Sequence, residues 1–136
     1  VFCSVSVRTV AAMEAQADSR RALGDRGETL AAEHLERLGF EIVARQHRTR
    51  FGEIDLVAFD GRTLAFCEVK TRRPPGSPFD ALGPRKQLQV RRMAAAYLAD
   101  EGTSRPRAHE IRFDAIGVVI GPSGELLRLD HLAGAF

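Results

Sequence analysis

Two carboxylates near the middle of the chain, Asp55 and Glu68, have the types and spacing that can converge on a divalent cation, and the ammonium of Lys70 projects beside Glu68 in the run Glu68-Val69-Lys70. Between them lies Asp60-Gly61, a strong signal for a two-residue hairpin loop. A turn closed there pairs a strand Glu53–Phe59 with a returning strand Arg62–Lys70. Asp55 then faces Phe66, and Glu53 faces Glu68. Alternation along the strands puts Glu53, Asp55 and Val57 on one face with Phe66, Glu68 and Lys70. Asp55 and Glu68 become diagonal neighbours, about 7–8 Å apart at the backbone. Carboxylates at that reach converge on one cation, and hard oxygen ligands suit magnesium or manganese. Ile54, Leu56 and Ala58 with Ala65, Cys67 and Val69 form the opposite, apolar side. The acids crowd the other side, where like charges repel. Either a bound cation relieves that repulsion, or Lys70 neutralises Glu68 on a solvated hairpin face.

The elements that position these residues read in the order α-β-β-β-α-β-β, a mixed sheet with helices packed against it. Ser19–Gly39 is the first helix, with Ala31, Leu35 and Leu38 at helical spacing and Gly39 as its stop. A short strand Glu41–Arg45 and a basic loop Arg48–Gly52 precede the hairpin. Arg73–Gly83 is rich in proline and glycine and reads as a loop. Pro84 opens a second helix that runs to about Asp100. Strands Glu110–Ile120 and Glu125–Leu132 close the domain, turning at Gly121-Pro122-Ser123-Gly124. Residues 1–18 are expected to be a flexible extension, and residues 19–136 a single domain.

Composition narrows the function classes. The chain has 136 residues, 44% hydrophobic and 28% charged, which fits one folded domain and excludes wholesale disorder. Its apolar runs are too short to span a membrane. Two cysteines, Cys3 and Cys67, make no disulfide framework, so a reducing, cytoplasmic setting fits. Net charge is only +2, but it is unevenly spread. From Thr71 to Arg92, six cations (Arg72, Arg73, Arg85, Lys86, Arg91, Arg92) face one anion, Asp80. Arg45, Arg48 and Arg50 form a second cluster. Such patches suit a phosphate backbone or a plain solvated surface. Only two of the twenty basic residues are lysines, Lys70 and Lys86. Arginine is effectively never deprotonated, whereas lysine is a compact ammonium with a movable pKa.

Other chemistries find little support. His34, His47, His109 and His131 lack metal-ligand spacing, so zinc is not expected. Gly24-x-x-Gly27 lacks the Lys-Ser/Thr of a phosphate loop. With one tyrosine and no tryptophan, base stacking is not the expected recognition mode.

Asp55 followed by Glu68-Val69-Lys70 resembles the Asp…(Asp/Glu)-x-Lys signature of the PD-(D/E)XK nuclease superfamily. The chain is more closely similar to the YraN-like family of small bacterial proteins, relatives of archaeal Holliday-junction resolvases. The matching segments are Gly24-x-x-Gly27-Glu28, Arg48-x-Arg50-Phe51-Gly52-Glu53-Ile54-Asp55-Leu56 and Phe66-Cys67-Glu68-Val69-Lys70-Thr71-Arg72. Pro84-Arg85-Lys86-Gln87 and Arg112-Phe113-Asp114 complete the set. The resemblance implies a restriction-endonuclease-like α-β-β-β-α-β core, a central mixed sheet flanked by helices.

It also implies roles. Asp55 and Glu68 would bind magnesium or manganese, with the Val69 carbonyl as a third ligand and Glu28 reaching the metal directly or through water. Lys70 would orient or help deprotonate the attacking water. Gln87 would contact the scissile phosphate, or be an ordinary first-turn residue. Glu28 also fits a capping box with Asp25. Glu53 would support the metal or pair with Arg50, and Asp114 would be structural, paired with Arg112. Arg48, Arg50, Arg72, Arg73, Lys86, Arg91 and Arg92 would hold nucleic acid. The implied activity is metal-dependent hydrolysis of phosphodiesters in DNA, branched DNA included. The alternative is a nucleic-acid-binding protein that keeps the fold without turnover. Resolvase relatives act as homodimers, and this sequence carries no comparable dimer signature.

Overall fold

The structure, a computed structural model, describes residues 7–79 and 82–136. The elements run α1 (Val7–Arg37), β1 (Glu41–Thr49), β2 (Gly52–Phe59), β3 (Thr63–Arg72), α2 (Pro84–Ala99), β4 (Glu110–Ile120) and β5 (Leu126–Leu132). The five strands form one sheet in the order β1-β2-β3-β4-β5. β3 and β4 are parallel and every other pair is antiparallel. A parallel pair requires a crossover, and α2 makes it. The α/β architecture and element order are those expected from the sequence.

Helices cover both faces of the sheet. Leu30, Ala31, Ala32 and Leu35 of α1 pack on Leu56, Ala58, Ala65, Cys67 and Val69 and on Ile116, Val118 and Ile120 of β4. Val90, Met93, Ala94 and Tyr97 of α2 pack on Ile54, Val57, Leu64 and Phe66. The acid-bearing face of the hairpin is therefore also a core face, not a solvated one. Ile54 sides with α2 while Leu56 sides with α1, so strict alternation fails at Asp55. The β2–β3 ladder also stops there, with Leu56↔Cys67 as its last pair toward the site.

The hairpin register differs from the expectation. Asp60 pairs with Thr63, and Gly61-Arg62 form the loop. The Asp60 carboxylate accepts the N–H groups of Arg62 (2.9 Å) and Thr63 (2.7 Å), so Asp60 serves as the turn's anchor and not its first loop residue. Gly61, at φ +99°, occupies the left-handed position. The slip is an even number of residues, so the side chains from Leu56 to Cys67 keep their faces, while Ile54, beyond the break in alternation at Asp55, does not.

α1 starts at Val7, not at Ser19; residues 1–6 of the expected extension lie outside the described residues. Ala11, Ala12, Ala15, Ala17 and Ala22 are strong helix formers, and they carry the helix through a stretch that buries nothing. Asp25 is consequently inside the helix, where its carbonyl accepts the Thr29 hydroxyl, and the capping box does not form. Leu38 is 56% exposed because α1 ends at Arg37 and Gly39 turns the chain at φ +96°. β1 runs on to Thr49, so Arg48 lies in a strand and only the Arg50-Phe51 turn remains of the basic loop.

Asp114 is fully buried and ties β4 to β5. Its carboxylate accepts two hydrogen bonds from the Arg112 guanidinium, both 2.8 Å, and the Gly134 N–H at 3.0 Å. His131 meets it at 2.7 Å and reaches His34 of α1 at 3.0 Å through its other ring nitrogen. The structural pairing of Asp114 with Arg112 is the one expected.

At Gly27, α1 packs tightly against Thr71 of β3. A Cβ there would stand 1.7 Å from the Thr71 hydroxyl oxygen. Gly27→Ala is expected to cost about 1–3 kcal/mol through overpacking, although alanine is the better helix former. Thr71→Ala in the same chain is expected to restore part of the loss, read as urea midpoints of the three variants.

Candidate active site

The site forms where the β2–β3 ladder opens and both helices reach the sheet. Beyond Leu56↔Cys67, the Val69 N–H donates to the Asp55 carboxylate at 2.8 Å instead of to a backbone carbonyl. Asp55 is thus fixed by the strand it would otherwise pair with. Burial, and next the Glu68 charge, push its carboxyl up to about 7, against the pull of the Val69 N–H; Glu28 adds to the rise and Lys86 opposes it.

Glu68 lies on β3 and is 4% exposed. An isolated buried carboxylate is costly and needs a partner. Two ammonium groups supply it: Lys86 Nζ at 3.1 Å and Lys70 Nζ at 3.7 Å, both on Oε1. These are the only two lysines of the chain. Lys70 comes from the same strand, two residues on, and Lys86 from the first turn of α2. Lys86 was expected on a phosphate-binding surface; the structure places it against Glu68.

Glu28 reaches the site from α1 and accepts a hydrogen bond from the Gln46 side chain at 2.9 Å. Burial raises its pKa; Gln46 opposes the shift, and the charges of Asp25, Glu53 and Glu68 add to it. Gln46 was not singled out in the sequence. It adopts φ +47°, and nothing in its neighbours' types signals that conformation. Asp55, Glu68 and Glu28 share one electrostatic field. Among the described residues, no three His, Cys, Asp or Glu side chains stand close enough to enclose a metal ion.

The other expected residues spread around this centre. Gln87 turns back to donate to the Leu82 carbonyl at 3.1 Å, as a first-turn residue does. Glu53 pairs with Arg48 at 3.9 Å, not with Arg50, whose guanidinium lies 4.7 Å from the Phe51 ring centre. Arg72 and Arg73 are exposed, and each donates to a backbone carbonyl, of Thr71 and Gly121 respectively. Arg92 lines a hollow with Phe51, Arg85, Leu88 and Gln89. Arg91 lies over the Phe113 ring at 4.8 Å, a packing contact on another flank of α2. No helix among the described residues is long and apolar enough to cross a membrane.

Comparison with known proteins gives a consistent result. The family model described as "Uncharacterised protein family UPF0102" matches residues 27–118, a span that holds every acid and lysine of the site. A UPF0102 protein of Acidothermus cellulolyticus is 42% identical over 137 residues, covering 91% of this chain and 100% of the relative. One from Nocardia farcinica is 43% identical, covering 90% and 94%. One from Geobacter sulfurreducens is 47% identical, covering 84% and 88%.

Proposed function

The chain belongs to the UPF0102 family, the YraN-like group within the nuclease-like superfamily, and we propose that it is a metal-dependent endonuclease acting on DNA. The observation that carries this reading is the convergence of the chain's only two lysines on one buried glutamate, beside an aspartate whose proton affinity is raised. Eighteen other positions take arginine as their cation. The two that do not are where a compact, movable ammonium is useful.

The donor set suits magnesium or manganese: Asp55, Glu68 and the Val69 carbonyl are hard oxygen ligands, and Glu28 stands behind them. Bound there, the metal would supply charge neutralisation on the phosphate and an acidified water. The chain's own groups account for the rest. Val69 N–H holds the Asp55 carboxylate in one orientation. Lys70 pairs with Glu68 at 3.7 Å and would offer a positive charge to a phosphoryl oxygen that gains negative charge. Glu68 itself is buried between the two flanking helices. Arg48, Arg50, Arg72, Arg73 and Arg92 offer backbone contacts on the rim, which favours reading of shape over sequence.

The test is manganese titration together with a cleavage assay on duplex, single-stranded, flap and four-way DNA, with magnesium, manganese or EDTA. Asp55→Asn and Glu68→Gln are each expected to weaken metal binding at least about tenfold and to abolish cleavage. Equal metal affinity in the wild type and both variants would refute the metal site. Cation and DNA binding without cleavage of any substrate would favour the binding-protein alternative.

A further inference from the structure

Gly24 lies within α1, in helical conformation, where glycine is unfavourable relative to alanine. Gly27, one turn on, has a reason in the packing: a Cβ there would strike Thr71. Gly24 has none. A Cβ on it would meet nothing within 4 Å, and no positive φ requires glycine. The open space it faces is a cavity of about 460 Å³ between α1 and the end of β3. Arg20, Arg72 and Arg73 line this cavity, with Leu23 and Val69 as its apolar part. Glu28 and Lys70 line it too, so it opens directly onto the proposed active site. None of the three arginines has a carboxylate within ion-pair reach among the described residues.

We propose that this cavity is a strand subsite: it takes the nucleotide next to the scissile phosphate, and Gly24 leaves its floor open for the sugar-phosphate backbone to approach α1. The inference rests on the nuclease reading and adds to it a position for the substrate strand. A strand with its scissile phosphate beside Lys70 extends into this cavity. There Arg20, Arg72 and Arg73 meet the adjoining phosphates, and Leu23 and Val69 give the sugar or base an apolar wall. A cavity of this volume lies within the range of sites that enclose a small ligand. It suits a nucleotide of a single or frayed strand better than one stacked inside a duplex.

The test uses Gly24→Ala, Gly24→Leu and Arg20→Ala in the full chain. Binding is read by fluorescence anisotropy of a labelled single-stranded DNA ten-mer in EDTA, so that the strand stays intact. Cleavage with manganese is read separately. Gly24→Ala is expected to melt no lower than the wild type, because alanine is favoured in a helix, and yet to bind the ten-mer more weakly. Gly24→Leu is expected to bind it about tenfold more weakly. Arg20→Ala is expected to lower the salt slope of binding by about one unit. A folded Gly24→Leu that binds and cuts like the wild type would overturn the subsite and leave the nuclease reading standing. Weaker binding by the glycine variants, with no cleavage by the wild type, would support the subsite and count against catalysis. Failure of the wild type to bind the ten-mer would overturn the subsite, while its cleavage of duplex, flap or four-way DNA would leave the nuclease reading standing.

Discussion

Asp114→Ala should be the most destabilising single substitution among the polar residues, costing about 3–5 kcal/mol at neutral pH. The carboxylate is fully buried and takes hydrogen bonds from the Arg112 guanidinium, from His131 and from the Gly134 N–H. Its removal leaves Arg112 and His131 facing an empty, desolvated position, so the loss exceeds that of one hydrogen bond. The pH dependence follows from the same contacts. Burial alone would raise this carboxyl, but His131, Arg112 and Gly134 together hold it down at about 2, against an ordinary 3.8. A depressed folded-state pKa means that the stabilisation is complete above the unfolded value and lost as pH falls through the folded one. The urea midpoints of wild type and Asp114→Ala should therefore differ most above about pH 4 and converge toward pH 2. Parallel curves across that range would show that the Asp114 charge does not set the stability of the β4–β5 half.

That network was legible in the sequence only in part. Arg112 and Asp114 are two residues apart on one strand, and alternation puts them on the same side. His131 and His34 join through tertiary contacts that no local pattern encodes. The nearness of Asp55 and Glu68 was legible for a related reason: hairpin pairing is local, and the turn's slip moves the register by an even step, although the ladder ends at Leu56↔Cys67, just short of both acids. What local reasoning missed came from α2. It covers the acid-bearing face, turns that face into core, and brings Lys86 to Glu68. The start of α1 was missed because residues 10–22 bury no apolar stripe, so helix propensity alone carries them. Gly24 drew notice as a motif residue, but its meaning depends on what its missing Cβ would touch, which is visible only in three dimensions.

Lys70→Ala should lower DNA cleavage by about 10²–10³-fold, the loss typical of removing one group that stabilises developing charge. Metal affinity should not fall with it. Lys70 and Lys86 both sit on the Glu68 oxygen that a cation would use, so removing either ammonium frees that oxygen. Manganese should bind Lys70→Ala and Lys86→Ala as tightly as the wild type, or more tightly. The two variants should differ in turnover: Lys86→Ala keeps the strand-borne ammonium beside the phosphate position and loses less. Lys70→Arg should not restore the rate, because a planar guanidinium is larger than an ammonium and does not give up its proton. If the lysines serve only to neutralise Glu68, the ordering reverses. Arginine then substitutes well at position 70, and alanine chiefly lowers the melting temperature by leaving a buried charge with one partner fewer. Measured on one substrate, cleavage by Lys70→Arg separates the two cases. Full activity would remove Lys70 from the chemistry and leave the paired lysines as a structural clamp on Glu68.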